Sequence, residues 1–475
     1  MDYQAFVNGE RTWLSAPAGY GKTYTIVECL KITSGRQLIL THTHAGVYSI
    51  KAKLIAARVN TTSYHVETIS SFAQTYFNAF YTGSDTPNQE EPGYHKFVIE
   101  KVALLMRSNL IKPILHATYN GVFVDEYQDC TRKQHEMIMA IAEVLPTHIL
   151  GDSLQAIFDF CDTNVDIPSD LSSFIAFTEL NTPQRWVKAG RHDLGICLSE
   201  IRKKLKTTQP IDMNDYSSAI EFVCARENEK AVQNSAYYTK LQMLCRENSV
   251  LVIEPHSSNI IPRIHFVQRF PSFSLVESID NRDFYNFAKA SDRLLQTRVN
   301  ELTMRNFLYE LVEMKAIGKS AFDKWFNGRG FKEKRREDEK CTVDSLKKKI
   351  NLCFSPKELQ EILEGVLALK EVRCYRPELF WGAKKALQFA SYNGTSILDA
   401  MRSHRNIVRR SGRKIEGKCV GTTLLTKGLE FDTVAILDAQ HFKCPKNFYV
   451  AITRCCKRLI VFSDRNILSP YPPLC

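Results

Sequence analysis

Short apolar runs, each ending in a polar or glycine-containing turn, recur in two groups along the chain and constrain its fold more than any other feature. Four to six apolar residues bounded by chain breakers are typical of strands buried in a parallel sheet. Helical patterns lie between the runs, and this alternation predicts an α/β fold in which ligands bind at the carboxyl ends of the strands. The runs are RTWLSAPAG (11–19), QLILTHT (37–43), GVFVDE (121–126), THILGD (147–152), SVLVIEP (249–255), TVAILDA (433–439) and RLIVFSD (458–464).

The two groups of runs predict two α/β domains, each with its own parallel sheet. Helical patterns without clear strand runs interrupt each group, which predicts one helical insertion in each domain. The predicted segments are 1–75 and 116–177 for the first domain, 76–115 for its reduced insertion, 178–280 and 406–475 for the second domain, and 281–405 for its insertion.

The composition narrows the class of protein. Lys and Arg number 63 against 52 Asp and Glu, a net charge of +11 that suits a polyanionic partner without requiring one. The charge run at 329–340 alternates in sign, which favours a solvated helix face over a nucleic-acid patch. The 14 cysteines form no C-x-x-C pair, and no apolar stretch reaches about 18 residues. With a first segment, MDYQAFVNGER, that lacks the pattern of a signal peptide, we expect a cytoplasmic protein with no membrane contact.

The segment APAGYGKT, which begins at Ala16, has the context of a phosphate-binding loop. It lies between a predicted strand and a predicted helix, so backbone N–H groups around Gly19 and Gly21 and the helix N-terminus would point at phosphate oxygens. Lys22 would reach the β- and γ-phosphates of ATP, and Thr23 would bind Mg²⁺. Ala16 replaces the first glycine of the usual pattern. The alternative is an ordinary strand–turn–helix junction.

Two carboxylates follow the third predicted strand, in FVDEYQDC (123–130). Asp125 is placed to hold Mg²⁺ through its water shell, because Mg²⁺ takes few direct carboxylate ligands. Glu126 is placed to orient and deprotonate an attacking water. Acids that end a buried strand are costly unless a cation or donors neutralise them. A solvated acidic loop is the alternative reading.

Together, D-E-Y-Q-D and the upstream A-x-x-G-x-G-K-T resemble the motifs of superfamily 1 helicases of the UvrD/Rep/PcrA type. Further segments resemble the remaining motifs of that family, occur in the family order and extend over most of the chain. The resemblance implies two RecA-like parallel-sheet domains with ATP bound between them. The additional segments are THTHAGV (41–47), TISSFA (68–73), GDSLQAIFDF (151–160), LNTPQRW (180–186), TTLLTKGLEFD (422–432) and YVAITR (449–454).

The resemblance assigns roles in ATP hydrolysis to residues that match the motifs. Gln155 would sense the γ-phosphate and couple it to the nucleic-acid site. Arg185 and Arg454 would act as arginine fingers that stabilise charge on the transferred phosphoryl group. Glu430 resembles the residue that bonds the ribose. Gln4 either corresponds to the adenine-reading glutamine of the family or is a surface glutamine.

The chain departs from the family pattern at several positions, three of which bear on the adenine and nucleic-acid contacts. Gln184 replaces the tyrosine that stacks on adenine, and Tyr24 replaces the arginine that often follows the phosphate loop. Tyr24 could therefore supply an adenine-binding face from the other side, or it could pack on the sheet. Leu424 replaces a motif histidine, so one polar contact near nucleic acid is missing.

The resemblance also implies contacts with single-stranded DNA, which is gripped by aromatic platforms in a basic groove. Phe160 and His42 occupy the positions of base-stacking aromatics, although ordinary core packing is the alternative for both. Thr68, Phe72 and Thr422 lie where the family contacts the strand.

The motifs therefore predict an ATP- and Mg²⁺-dependent translocase or helicase, and the resemblance implies that it moves 3′-to-5′ on single-stranded DNA. The compact chain is similar to the helicase subunit of Gabija-type bacterial antiphage systems, which work beside a nuclease, and DNA repair is the competing role. A second hypothesis is an ATPase switch, activated by nucleic acid, that regulates a partner nuclease without processive unwinding.

Overall fold

A computed structural model of the protein describes residues 1–87, 93–157, 165–230, 232–255, 259–278, 282–318, 336–369, 372–411 and 415–472. The chain divides into two compact units, the first formed by Met1–Ser257 and Thr422–Cys475 and the second by Ser258–Gly421. None of the described helices is long and apolar enough to cross a membrane.

The strands are β1 Arg11–Ser15, β2 Gln37–Thr41, β3 Tyr64–Thr68, β4 Gly121–Val124, β5 Thr147–Gly151, β6 Ile175–Phe177, β7 Ile211–Asp212, β8 Ile220–Cys224, β9 Val250–Ile253, β10 Ser274–Leu275, β11 Lys418–Gly421, β12 Phe431–Ile436, β13 Cys455–Ser463 and β14 Ile467–Leu468. The helices are α1 Tyr3–Asn8, α2 Lys22–Ile32, α3 His44–Ala56, α4 Ile69–Phe80, α5 Tyr94–Met106, α6 Ile111–Thr118, α7 Arg132–Ala142, α8 Ile167–Asp170, α9 Gln184–Lys188, α10 His192–Lys206, α11 Glu227–Lys230, α12 Ala236–Leu244, α13 Ile261–Arg269, α14 Arg282–Gln296, α15 Glu301–Glu313, α16 Arg336–Asn351, α17 Pro356–Ala368, α18 Pro377–Asn393, α19 Ile397–Ser411 and α20 Pro445–Ile452.

The first unit contains a six-stranded parallel sheet in the order β3-β2-β4-β5-β1-β6. Alternate residues of its central strands enter different cores. In β2, Ile39 packs with residues of α1–α3, whereas Leu38 and Leu40 pack with residues of α4–α7. Because apolar side chains cover both faces, the central strands are continuously apolar, which is why they were visible in the sequence.

A second parallel arrangement in the same unit has the order β9-β12-β13-β8. All seven strands predicted from apolar runs are present, and the predicted α/β fold class with two parallel sheets is confirmed. The carboxyl ends of the central strands of the first sheet carry the residues that the sequence analysis selected, because parallel strands end at the same edge.

The second unit is mainly helical and is built on α13–α19 with one short parallel pair, β10 with β11. Apolar side chains of α14–α19 form one core. Within that core region Arg376 is almost completely buried and is paired with Glu277 and Asp283. The proposed six-segment division of the chain, with its two insertions, stays a prediction.

His148 in β5 generates a prediction about stability and pH. The side chain is 2% exposed, lies between the rings of Phe6 and Phe123, and its Nδ1 is 2.8 Å from Oγ1 of Thr12. Burial lowers its pKa from 6.5 to about 4. Between these values the unfolded chain binds a proton that the folded chain does not, so the free energy of unfolding falls as the pH falls.

We expect this single group to contribute a slope of up to about 1.4 kcal/mol per pH unit between pH 6.5 and 4. The substitution His148→Phe keeps an aromatic ring in the pocket and removes the titrating group. Denaturant unfolding of both proteins across this interval should therefore give a flatter pH dependence for the variant. Parallel curves would show that His148 is not held neutral by the fold.

Candidate nucleotide site

The loop that follows β1 has the backbone geometry of a phosphate-binding loop. Gly19 and Gly21 have φ angles of +76° and +102°, a region that other residues rarely adopt. A Cβ atom on Gly19 would also lie 2.8 Å from the ring of Trp186. The following helix α2 begins at Lys22 without a side-chain cap, so its first N–H groups have no side-chain acceptor from the capping position. Such a helix N-terminus is suited to binding an anion.

Lys22 and the two predicted carboxylates meet at the carboxyl ends of β1 and β4. Nζ of Lys22 is 3.3 Å from Oε2 of Glu126 and 3.5 Å from the carbonyl oxygen of Ala16. Glu126 has a left-handed backbone with φ of +55°, a strained conformation that fixes the direction of its side chain. Its N–H donates to Oδ1 of Asp125 at 2.9 Å. The geometry therefore places one cation and two acids around the end of the loop.

The pKa values of the two carboxylates are shifted in opposite directions. Burial and the neighbouring Glu126 raise the pKa of Asp125 to about 7. Burial also acts to raise the pKa of Glu126, but Lys22 and Lys427 outweigh it and lower that pKa to about 2. Of the two carboxylates, Glu126 is therefore the one that stays ionised at neutral pH and can accept a hydrogen bond.

The second sheet of the same unit supplies cations to this region. Arg185, at the start of α9, donates to Oε1 of Glu430 at 2.8 Å and to the carbonyl oxygen of Thr453. Among the described residues, its buried Nε has no hydrogen-bond partner. Arg454 is 2% exposed, and burial together with the nearby Arg185 lowers its pKa to about 10. Two adjacent arginines with a free donor are suited to binding an anion.

A buried polar network joins the two sheets through Gln155. Nε2 of Gln155 donates to Oδ2 of Asp152 at 3.0 Å, while its Oε1 accepts from Nη2 of Arg454 at 3.4 Å. Nζ of Lys427 donates to the carbonyl oxygen of Gln155 and to both carboxylate oxygens of Asp129. Arg454 is therefore linked through Gln155 to Asp152 at the end of β5.

These groups line one cleft with a volume of about 830 Å³, within the size range of ligand pockets. The predicted residues that line it are Gly19, Gly21, Lys22, Thr23, Tyr24, His42, Asp125, Glu126, Gln155, Arg185, Glu430 and Arg454. The predicted residues outside its lining are Gln4, Ala16, Thr68, Phe72 and Thr422. Phe160 lies outside the described residues.

One end of the cleft offers a surface for a planar ring. Tyr24 is 48% exposed, and Nζ of Lys188 is 5.2 Å from the centroid of its ring. The side chain of Gln184 lies near Gly21 on the same side of the cleft. Gln4 is exposed on α1, where its amide donates to Oδ1 of Asn8 at 3.0 Å. Its predicted role as an adenine reader stays a prediction, without support from this position.

The residues predicted to contact DNA differ from one another in their burial and in the groups that they contact. Burial lowers the pKa of His42 to about 3, and its Nε2 is 3.4 Å from Sγ of Cys130. Thr68 caps α4, and Thr422 is buried. Phe72 is 1% exposed and packs in the core of the first sheet, so this conformation offers none of its ring to a nucleic-acid strand. The DNA-contacting roles stay predictions.

Arg202 belongs to no motif of the sequence, but the structure places it in the network. Nη2 of Arg202 is 2.8 Å from Oδ1 of Asp152, a side chain with no exposed surface, and Nη1 is 2.7 Å from Glu179. Arg202 lies within the buried stripe of α10 that includes Leu198 and Leu205. A charged residue at an apolar position of an amphipathic helix was the available signal.

The tyrosine of YVAITR was also given no role. The hydroxyl oxygen of Tyr449 accepts a hydrogen bond from the N–H of Ala18 at 3.2 Å, which connects α20 with the phosphate loop. The guanidinium of Arg202 lies 5.8 Å from the centroid of the Tyr449 ring. Arg202 therefore contacts both Asp152, which accepts a hydrogen bond from Gln155, and Tyr449, which accepts one from Ala18 in the loop.

The fold and the site define an α/β protein in which a glycine-containing loop, paired acids and arginines surround one cleft. Residues 86–174, which include D-E-Y-Q-D, match the family model of the UvrD/REP helicase N-terminal domain. The predicted resemblance to superfamily 1 helicases is thus confirmed over this segment. No curated protein matches the chain.

Solved structures of helicases are also similar to the chain, at low identity. A complex of the Arterivirus nonstructural protein 10 helicase with DNA has 10% identity and a TM-score of 0.34, over 97% of this chain and 62% of that one. The UvsW helicase from bacteriophage T4 has 15% identity and a TM-score of 0.24, over 38% of this chain and 59% of that one. The chain thus spans less than two thirds of the length of either protein.

Arg202 generates a prediction with a matched control on the same helix. Replacing it by Met should lower the free energy of unfolding by about 3–5 kcal/mol, because Asp152 would remain buried without its cation. Lys204→Met removes a more exposed pair, in which Nζ is 3.2 Å from Asp215, and should cost about 1 kcal/mol or less. Denaturant unfolding of the two variants measures the difference. Equal losses would show that the Arg202 pair is not buried in solution.

Proposed function

We propose that this protein is an ATP-dependent translocase or helicase of the UvrD type that moves on single-stranded DNA. The observation that carries the proposal is the single cleft in which Lys22 and Glu126 of one sheet meet Arg185 and Arg454 of the other. The match of residues 86–174 to a helicase domain supports the same function. The net charge of +11 agrees with a polyanionic track.

The donors around the cleft are suited to a nucleoside triphosphate. Loop N–H groups, Lys22 and the free Nε of Arg185 can neutralise phosphate oxygens. Glu126, kept ionised by its lysines, would accept a proton from the attacking water. The arginines would stabilise the charge that develops on the transferred phosphoryl group.

Mg²⁺ fits the same place without a dedicated cage. Among the described residues, no group of three or more His, Cys, Asp or Glu side chains is arranged to hold a metal ion. Mg²⁺ at nucleotide sites needs few protein ligands because phosphate oxygens and waters complete its shell. Thr23 and Asp125, which both line the cleft, would hold it, and the bound ion would neutralise the β- and γ-phosphates.

The network at Gln155 explains how hydrolysis would produce movement. Loss of the γ-phosphate removes the charge that the arginines neutralise, and Arg454 is bonded to Gln155. Gln155 is bonded in turn to Asp152 and Lys427, which belong to different sheets. A change in phosphate charge would thus alter how the sheets are held together, as in other phosphate-driven switches.

The finer features of the proposal come from the motif resemblance. They are the 3′-to-5′ direction, a nuclease partner, and a role in antiphage defence or in DNA repair. A cytoplasmic location is proposed separately, from the 14 cysteines that form no C-x-x-C pair. An ATPase switch that regulates such a nuclease is the second hypothesis. Displacement of a strand from a 3′-tailed duplex distinguishes them, because only a translocase would couple ATP turnover to displacement.

The first test is ATP hydrolysis with Mg²⁺, with and without a long single-stranded DNA, in the wild type and in Glu126→Gln. The variant should bind ATP but lose turnover by about 10²–10⁴-fold, because the amide keeps the shape and cannot accept the proton. Lys22→Ala, which should lose ATP binding as well, is the control. Near-normal turnover in Glu126→Gln would exclude Glu126 as the base.

A second prediction concerns the base of the nucleotide. If Tyr24 stacks on adenine, Tyr24→Ser should raise the Michaelis constant for ATP by about tenfold, since stacking on an aromatic ring is worth roughly 1–3 kcal/mol. Turnover at saturating ATP should change little, because the ring acts on binding alone. Tyr24→Phe keeps the ring and should behave like the wild type. Equal constants in the two variants would exclude stacking.

A further inference from the structure

Positive charge is concentrated in the second unit. Residues 258–421 contain 32 Lys and Arg against 20 Asp and Glu, a net charge of +12. The rest of the chain contains 31 against 32, a net charge of −1. The positive excess of the whole protein therefore arises in the unit that does not contain the nucleotide cleft, and a polyanion would be attracted there.

Helix α18 of this unit presents aromatic rings to solvent. Trp381 is 52% exposed, Phe389 42% and Tyr392 90%. At about 100° per residue, these rings and the exposed Lys385 lie within an arc of about 80° on one side of the helix. We name this set of four residues the aromatic face. The opposite side of the helix is buried through residues that include Leu379, Ala383, Ala386, Leu387 and Ala390.

Two grooves border the aromatic face. Trp381 lines two grooves, one of about 400 Å³ formed by α17 and α18 and one of about 490 Å³ that includes residues of α19. The ring of His404 is 5.1 Å from the Trp381 ring. Helices α18 and α19 contain six Lys and Arg against two acids, although Arg405 is fully buried and Arg402 is paired with Asp399 at 2.6 Å. One of the lysines, Lys384, is paired with Glu364 at 2.7 Å.

The pattern on α18 fits a nucleic-acid strand better than a protein partner. A protein-docking surface has a contiguous apolar core, with aliphatic residues beside aromatic ones. On α18 the exposed positions between the rings are polar, namely Lys384, Lys385, Gln388 and Ser391. Rings separated by lysines and amides are the arrangement in which bases stack while phosphates meet cations.

We propose that the aromatic face binds single-stranded nucleic acid. The bases would stack on Trp381, Phe389 and Tyr392, which extend over about 16 Å along the helix, and Lys385 would neutralise phosphate. This contact extends the proposed function, on which it rests for the presence of a strand. It requires neither ATP nor the cleft, so it can be tested separately.

The test measures the binding of a fluorescently labelled oligo-dT to the full chain without nucleotide, by fluorescence anisotropy. Trp381→Leu and Tyr392→Leu should each weaken binding by about tenfold, because leucine retains apolar surface and cannot stack. Trp381→Phe and Tyr392→Phe should remain within about twofold of the wild type. Both positions are largely exposed, so the four variants should fold.

Leu302→Ala is the control, because Leu302 is 66% exposed on α15 of the same unit and should leave affinity unchanged. Binding by the wild type with equal affinity in all variants would overturn the proposal, and so would a lack of binding by the wild type. Stimulation of ATP hydrolysis is measured in the same samples. If DNA stimulates ATP hydrolysis but the Leu variants bind DNA as tightly as the wild type, only the proposal for the aromatic face is rejected. If ATP is not hydrolysed but the Leu variants bind DNA more weakly, only the proposal of a motor is rejected.

Discussion

The buried ion pair between Lys427 and Asp129 is the interaction on which the arrangement of the first unit depends. The two residues come from different sheets, and each is less than 10% exposed. Burial opposes the charge on both, raising the pKa of Asp129 to about 7 and lowering that of Lys427. Such a pair adds little net stability, but removal of one partner costs several kcal/mol. Its value is therefore geometric: in this placement of the sheets the lysine joins Asp129 of one sheet and also reaches the carbonyl oxygen of Gln155.

That placement brings several charges together, and the protein balances them internally. Glu126 accepts Lys22, and Glu430 accepts Arg185. Lys22, Arg185 and Arg454 thus each have a carboxylate or carbonyl partner, although Nε of Arg185 has no hydrogen-bond partner among the described residues. A phosphate that binds here would replace these contacts within the protein. It would not have to pair with cations that lack a partner. The desolvation cost has already been met by folding, which is the physical meaning of a preorganised site.

The sequence predicted the central strands and most of the residues that meet at the cleft, and the reason is local in both cases. Central strands are covered on both faces and are continuously apolar, whereas the edge strands β3, β6 and β8 have exposed or half-exposed positions and were missed. Loop and acid motifs are contiguous, so their chemistry can be read directly. Arg202 reaches Asp152 from a helix 50 residues later and has no motif. The burial of Phe72 and the exposure of Gln4 depend on packing that no short pattern records.

The hydrogen bond from Ala18 to Tyr449 has a consequence for how tightly the loop can retain a ligand. A loop amide that already donates to a hydroxyl group is not a vacant donor, so a ligand that takes it must replace a bond worth about 0.5–1.5 kcal/mol. When the ligand leaves, the hydrogen bond between Ala18 and Tyr449 forms again and reconnects the loop with α20. A ligand that takes this N–H is therefore held less tightly than it would be by a loop whose N–H groups are all vacant.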